Sequence, residues 1–187
     1  MTATFPLTGE PLALDLLNTD TAIGDLVADP AGLADWLETQ RGRLTEPGPV
    51  GAAEVAAVHA VREAARAALT AARGGAEPPA GAMRALNSAL AAAPSHRELA
   101  WTPAAGLTAA TVRAPAVPAA RRLAAELAEA VAELLLGGRI GEVRQCEGEH
   151  CVLLFLPAHP RRRWCVASIC GNRARVARYY ARHKPAT

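Results

Sequence analysis

The sequence predicts a mainly α, α+β chain: a helical body carrying one short β-hairpin, then a small C-terminal module of knuckle, hairpin and helix. Apolar stripes at helical spacing recur through most of the chain. An alternating stretch interrupts them between residues 97 and 113. The only four cysteines, Cys146, Cys151, Cys165 and Cys170, cluster in the last quarter. The expected domain limits are 1–138 and 139–187.

In chain order, residues 11–19 (PLALDLLNT) read as a short helix with Leu12, Leu16 and Thr19 on one side. Asp15 and Asn18 stand out in this apolar segment as candidates for lining a ligand pocket between the domains. The alternative is local: Asn18 ends the helix and Asp15 pairs with an arginine. Asp29-Pro30 offers an N-cap followed by proline at the first helical position, and the helix that follows is expected to bury Leu33, Trp36 and Leu37. Residues 42–51 are a Pro/Gly linker.

Ala52 to Arg73 places Val58, Val61, Ala65 and Leu69 on one face and stops at Gly74-Gly75, and Ala80 to Ala92 forms a shorter partner with Met83, Leu86 and Leu90. Arg97 to Arg113 is expected to be a hairpin turning at Pro103 to Gly106. Pro115 and Pro118 break the chain before a helix from Ala119 to Leu136, whose Leu123, Leu127, Val131, Leu134 and Leu135 form a wide stripe ended by Gly137-Gly138.

The cysteines are spaced C-x4-C, thirteen residues, C-x4-C. Two thiolate pairs on two short turns make a closed tetrahedral site, which is what a structural zinc ion requires. Two disulfides, or four unrelated core thiols, are the alternatives. The opening MTATFPLTGEP has no basic n-region and no apolar h-region, so the chain is expected to be soluble and cytoplasmic, where paired cysteines more often hold metal. No apolar run approaches a membrane span; Glu126, Glu129 and Glu133 interrupt the longest. Within the tail, residues 143–146 lead into the turn CEGEHC, residues 152–156 form a strand, residues 161–164 return as a second strand, and Cys170 opens a helix through His183. That is a treble-clef-like finger with one structural zinc per chain. About 45 residues cannot hold themselves together by apolar burial alone.

Charge is divided unequally. Residues 1–140 carry 11 Lys or Arg against 15 Asp or Glu, which is −4, and residues 141–187 carry 9 against 3, which is +6. A basic module on a mildly acidic body is the footprint of a polyanion binder. The preference for Arg over Lys is no evidence of recognition, because a GC-rich genome produces the same bias.

The run RRRWCVASICGNRARVARYYARH resembles the CGNR zinc finger, with Trp164-Cys165, Cys170-Gly171-Asn172-Arg173, the Cys146/Cys151 knuckle and the apolar strand at 152–156 in their places. The N-terminal part, with LALDLLNT and then LADWL, is similar to the ABATE domain that precedes this finger in bacterial proteins described as stress-induced transcription regulators. What the resemblance implies is a stress-responsive regulator that binds DNA through its finger.

Helical projection of the last segment puts Asn172, Arg175, Arg178, Tyr179 and Arg182 on one face, with Arg173, Val176 and Tyr180 on the opposite face, which is expected to pack. With Arg161, Arg162 and Arg163 from the neighbouring strand, the first face makes a basic surface for DNA. The bland alternative is a solvated face whose cations complement the helix dipole. Arg173 is expected to make a structural hydrogen bond to knuckle carbonyls, and His150 to lie outside the ligand set.

The expected function is a zinc-dependent DNA-binding transcription regulator whose body senses a ligand or dimerises. The alternative is a protein-interaction or small-ligand-binding module in which zinc is only a staple. An enzyme is not expected, because a closed four-cysteine site leaves no open position for water or substrate. DNA, a second copy of the chain and a small-molecule effector are the partners to test for, and no membrane.

Overall fold

The computed structural model describes residues 5–46, 48–114 and 116–183. Pro47 of the expected linker and the break expected at Pro115 lie outside them. At the centre of the body is α1 (Leu12–Leu17), in which Ala13 to Leu17 are all buried. LALDLL is apolar nearly all round, and such a helix is stable only inside a core. The one-sided stripe expected here therefore gives way to burial on all sides. Asn18 is the C-cap of α1.

A two-rung ribbon, β1 (Asp20–Thr21) with β2 (Gly24–Asp25), leads to α2 (Pro30–Thr39). The Asp29 carboxylate accepts the Gly32 N–H at 2.8 Å, and Pro30 sits where a helix needs no N–H. Burying Leu33 and Trp36 stabilises α2 by about 2–3 kcal/mol each. Leu37 is half-buried rather than buried.

The helices α3 (Ala52–Arg73), α4 (Ala80–Ala92) and α5 (Ala119–Leu136) have the bounds the sequence predicts. They pack on one another, with α1 between α3 and α5. Val58, Ala65, Leu127 and Val131 are fully buried in the shared core. Arg62 of α3 is buried as well, and its two terminal nitrogens donate to Asp25 and to the Thr19 hydroxyl (2.8 Å). The Arg62 hydrogen bond holds the Asp25 carboxyl below the ordinary carboxylate range.

Between α4 and α5 the chain leaves the body as a ribbon, β3 (Ser95–Thr102) antiparallel to β4 (Gly106–Arg113), starting two residues before the expected Arg97. Gly106 takes φ +69° in its turn, a conformation that favours glycine. The ribbon is anchored at its base, where the buried Arg113 guanidinium pairs with Glu126 and Glu129 of α5. Every residue of β3 is exposed.

A 3₁₀ turn (Ile140–Glu142) leads to β5 (Arg144–Gln145), which pairs antiparallel with β6 (Leu154–Phe155) around the first knuckle. Two expectations are corrected here. The strand expected over 152–156 is limited to Leu154–Phe155, and residues 161–164 form no strand. The physical reason is that side chains from the body occupy the outer edge of β6, at Leu154 and Leu156, where a third strand would have paired.

A π turn (Ala167–Gly171) precedes α6 (Asn172–His183). No residue of α6 is buried, so the face expected to pack, with Arg173, Val176 and Tyr180, is exposed as well. The helix holds to the finger through the π turn before it and leaves its length in solvent. Among the described residues, no helix is long and apolar enough to cross a membrane.

Candidate metal centre

The four cysteine Sγ atoms all lie within 4.8 Å of one another. Cys151 and Cys165 are 3.8 Å apart, and Cys165 and Cys170 3.5 Å. Zinc–thiolate bonds of about 2.3 Å in a tetrahedron require sulfur–sulfur edges of about 3.8 Å, so the cluster fits the ion. All four cysteines are free, and their spacing is far beyond a disulfide bond of about 2.05 Å. The site holds one structural zinc.

Local geometry follows from the residues between the ligands. The Cys146 N–H donates to the Leu153 carbonyl at 2.9 Å, closing the β5–β6 hairpin beside the first ligand. The turn back to Cys151 passes through His150 at φ +58°, a left-handed conformation that histidine, like asparagine and aspartate, adopts more readily than other non-glycine residues. The His150 ring points to solvent beside Glu149, outside the ligand set. In the second knuckle, a Cβ on Gly171 would lie 2.9 Å from Trp164 Cδ1, so the indole rests directly on the glycine backbone. That contact gives the Trp-Cys and Cys-Gly pairs a common physical reason. Gly148 is also tightly placed, since its Cβ would stand 3.1 Å from Cys170 Sγ.

The sulfurs are also prepared electrostatically. Burial opposes ionisation of Cys146, but the Cys165 N–H (3.2 Å) and Gly148 N–H (3.4 Å) donate to its sulfur, and the net effect lowers its pKa. Burial, then the Cys146 and Cys170 sulfurs, pushes the Cys165 thiol far up, and burial also raises Cys151. Four thiolates this close need a cation among them to ionise together, and zinc supplies it. Arg173 Nη2 donates to Cys170 Sγ at 3.3 Å. The bond expected from Arg173 to knuckle carbonyls thus goes to a ligand sulfur, where its charge offsets that of the thiolates.

Body and finger meet through polar side chains. Asn18 Oδ1 accepts the Leu154 N–H at 2.8 Å, and Asn18 Nδ2 donates to the Leu154 carbonyl at 2.9 Å. One amide side chain thus pairs with β6 as a neighbouring strand would. Glu10 extends the clamp, accepting the Leu156 N–H and Arg162 Nη2, each at 2.8 Å. Arg162 also donates to the Cys165 carbonyl at 2.7 Å and lies over the Phe155 ring, 4.3 Å from its centroid. Asp15 holds the segment that carries Glu10 in place: its carboxylate accepts the Gly9 and Glu10 N–H groups and pairs with Arg43, which also donates to the Glu10 carbonyl. Burial raises the Asp15 pKa, with Arg43 pulling the other way.

The structure therefore separates the residues that the sequence grouped. Arg162 points inward, while Arg161 is exposed and Arg163 pairs with Glu147 at the surface. Asn172, Arg175, Arg178, Tyr179 and Arg182 are exposed on α6, where the Tyr179 ring stacks on His183. Asp15 and Asn18 engage partners within the chain. Sequence reasoning missed Glu10, which carried no local signal because its partner Arg162 lies 152 residues away.

A helical body clamped to a tetrathiolate finger defines a protein with a structural zinc and, among the described residues, no open metal position. Residues 10–138 match the ABATE family, described as "Putative stress-induced transcription regulator", and residues 142–183 match the CGNR zinc finger. The chain belongs to the ABATE family and carries a CGNR zinc finger at its C-terminal end. A comparison with curated proteins gives no significant match.

Proposed function

We propose that this protein is a stress-responsive transcription regulator of the cytoplasm that binds DNA through α6. The observation that supports this best is the helix itself: Arg173, Arg175, Arg178 and Arg182, no acidic residue and no buried residue within Asn172–His183. A helix this polar gains nothing from the core and is about 18 Å long, enough to lie along a phosphate backbone or enter a major groove. Arg175, Arg178 and Arg182 with Asn172 and Tyr179 form the contact face, extended by Arg161 and Arg163. Arg162 is assigned instead to holding the finger on the body, and so are Asp15 and Asn18.

The zinc orders the turn from which α6 starts and takes no part in chemistry, because its four ligands are protein thiolates. Replacing Arg175, Arg178 and Arg182 together by Ala should abolish binding to genomic fragments in mobility-shift titrations without releasing zinc. Losing one phosphate contact should lower the salt slope by about 1, whereas losing a base contact should cost about 1–3 kcal/mol at one position. A triple variant that binds as tightly as the parent across the salt series makes α6 a solvated face and favours a protein-interaction role.

A further inference from the structure

Residues 99–112, LAWTPAAGLTAATV, contain no charged side chain, yet they form the far end of the β3–β4 ribbon. Leu99 pairs with Ala109 and Trp101 with Leu107, so the alternation of a strand puts all four on one face. Leu99, Trp101 and Leu107 are 68%, 72% and 68% exposed. Scattered apolar residues at a surface need no explanation, but a contiguous apolar face on a projecting ribbon does. A lone two-stranded ribbon is marginal in water. With no cation at its tip, the ribbon offers nothing to a phosphate backbone.

Nearer the body, the same face continues through Arg97 and Thr111 and borders an open groove of about 580 Å³ lined by Leu90, Ala132 and Leu136, with Glu129 and Glu133 among them. Leu136 is 86% exposed. Each chain therefore carries an apolar arm and, at the arm's base, a recess of mixed lining with Leu136 exposed at its edge.

We propose that a second copy of this chain covers both. Two protomers related by a twofold axis exchange ribbons, each seating Leu99, Trp101 and Leu107 over the partner's Leu136. Two features favour a copy of the chain over an unrelated protein. A twofold interface needs one surface that complements itself, and this chain presents the arm and the recess together. The area is also sufficient: covering the three side chains removes roughly 400 Å² from each arm and about as much from the partner surface beneath it, recess and surroundings together, so two seatings bury about 1,600 Å², the size of a standard specific interface. The interface uses neither zinc nor α6, so it stands or falls apart from the DNA-binding reading.

Sedimentation of the full zinc-loaded chain at micromolar concentration tests it. The parent should be a dimer. The arm variant Trp101→Glu/Leu107→Glu and the recess variant Leu136→Glu should each raise the dimer dissociation constant by at least about a hundredfold. Helical circular dichroism and zinc content should stay unchanged, because all three residues are exposed. An equimolar mixture of the two variants should form a heterodimer weaker than the parent dimer, through the one seating still intact. A monomeric parent, or an arm variant that remains dimeric, overturns the proposal. A recess variant that remains dimeric also overturns it and leaves ribbon-on-ribbon stacking as the contact.

Discussion

Asn18→Ala removes the central contact between body and finger. Asn18 is 3% exposed and pairs with both backbone groups of Leu154, at 2.8 and 2.9 Å. Each hydrogen bond contributes about 0.5–1.5 kcal/mol net, and a buried group left unpaired costs about 1–3 kcal/mol, so the substitution should destabilise the β6 edge by about 2–4 kcal/mol. The loss falls on β6, which follows Cys151 by three residues, within a module whose folding is coupled to zinc. At 1.4 kcal/mol per tenfold, zinc transfer to a chromogenic chelator should become about 30- to 700-fold more favourable. Hydrogen exchange at the Leu154 amide should accelerate by a similar factor, while amides in the middle of α3 remain protected. If zinc retention and Leu154 exchange both stay within about 0.5 kcal/mol of the parent, an ordinary surface-substitution effect, the clamp does not support the finger.

Arg162→Ala breaks the pair with Glu10 and should lower stability by about 2–4 kcal/mol, whereas Arg161→Ala should change it by less than about 0.5 kcal/mol. Equal melting temperatures for the two variants refute that division. Metal analysis should find one zinc per chain in the parent and none in Cys170→Ser, whose finger should unfold with the α3–α5 helical signal preserved. Asp25 is held below its ordinary pKa of 3.8, chiefly by the Arg62 hydrogen bond. The stability it adds is fully present above that value and is lost as pH falls through the lower folded value. Asp25→Asn should therefore lower the melting temperature at neutral pH by an amount that shrinks on acidification through that window. A difference independent of pH contradicts this assignment.

The sequence by itself determined whatever depends on near neighbours. The ends of α3, α4 and α5 are written in Gly51, Gly74, Pro79, Pro118 and Gly137, because helix termini are set by backbone conformation and capping within one turn. The zinc site is equally local, since each C-x4-C pair sits on a single turn and the ion joins the two. Tertiary structure decided what covers each surface. The projection of α6 correctly placed Arg173, Val176 and Tyr180 together, but periodicity records which residues share a face and says nothing of whether another element lies against it. The strand expected at residues 161–164 failed for a related reason: Asn18 and Glu10, more than a hundred residues away, occupy the hydrogen-bonding edge it needed. Arg161, Arg162 and Arg163 are identical in sequence terms, and the buried carboxylate of Glu10, with the Cys165 carbonyl and the Phe155 ring, holds the middle one inward. A contact across that separation leaves no periodic trace, because each partner is placed by its own local element and the two meet only when the body and finger pack together.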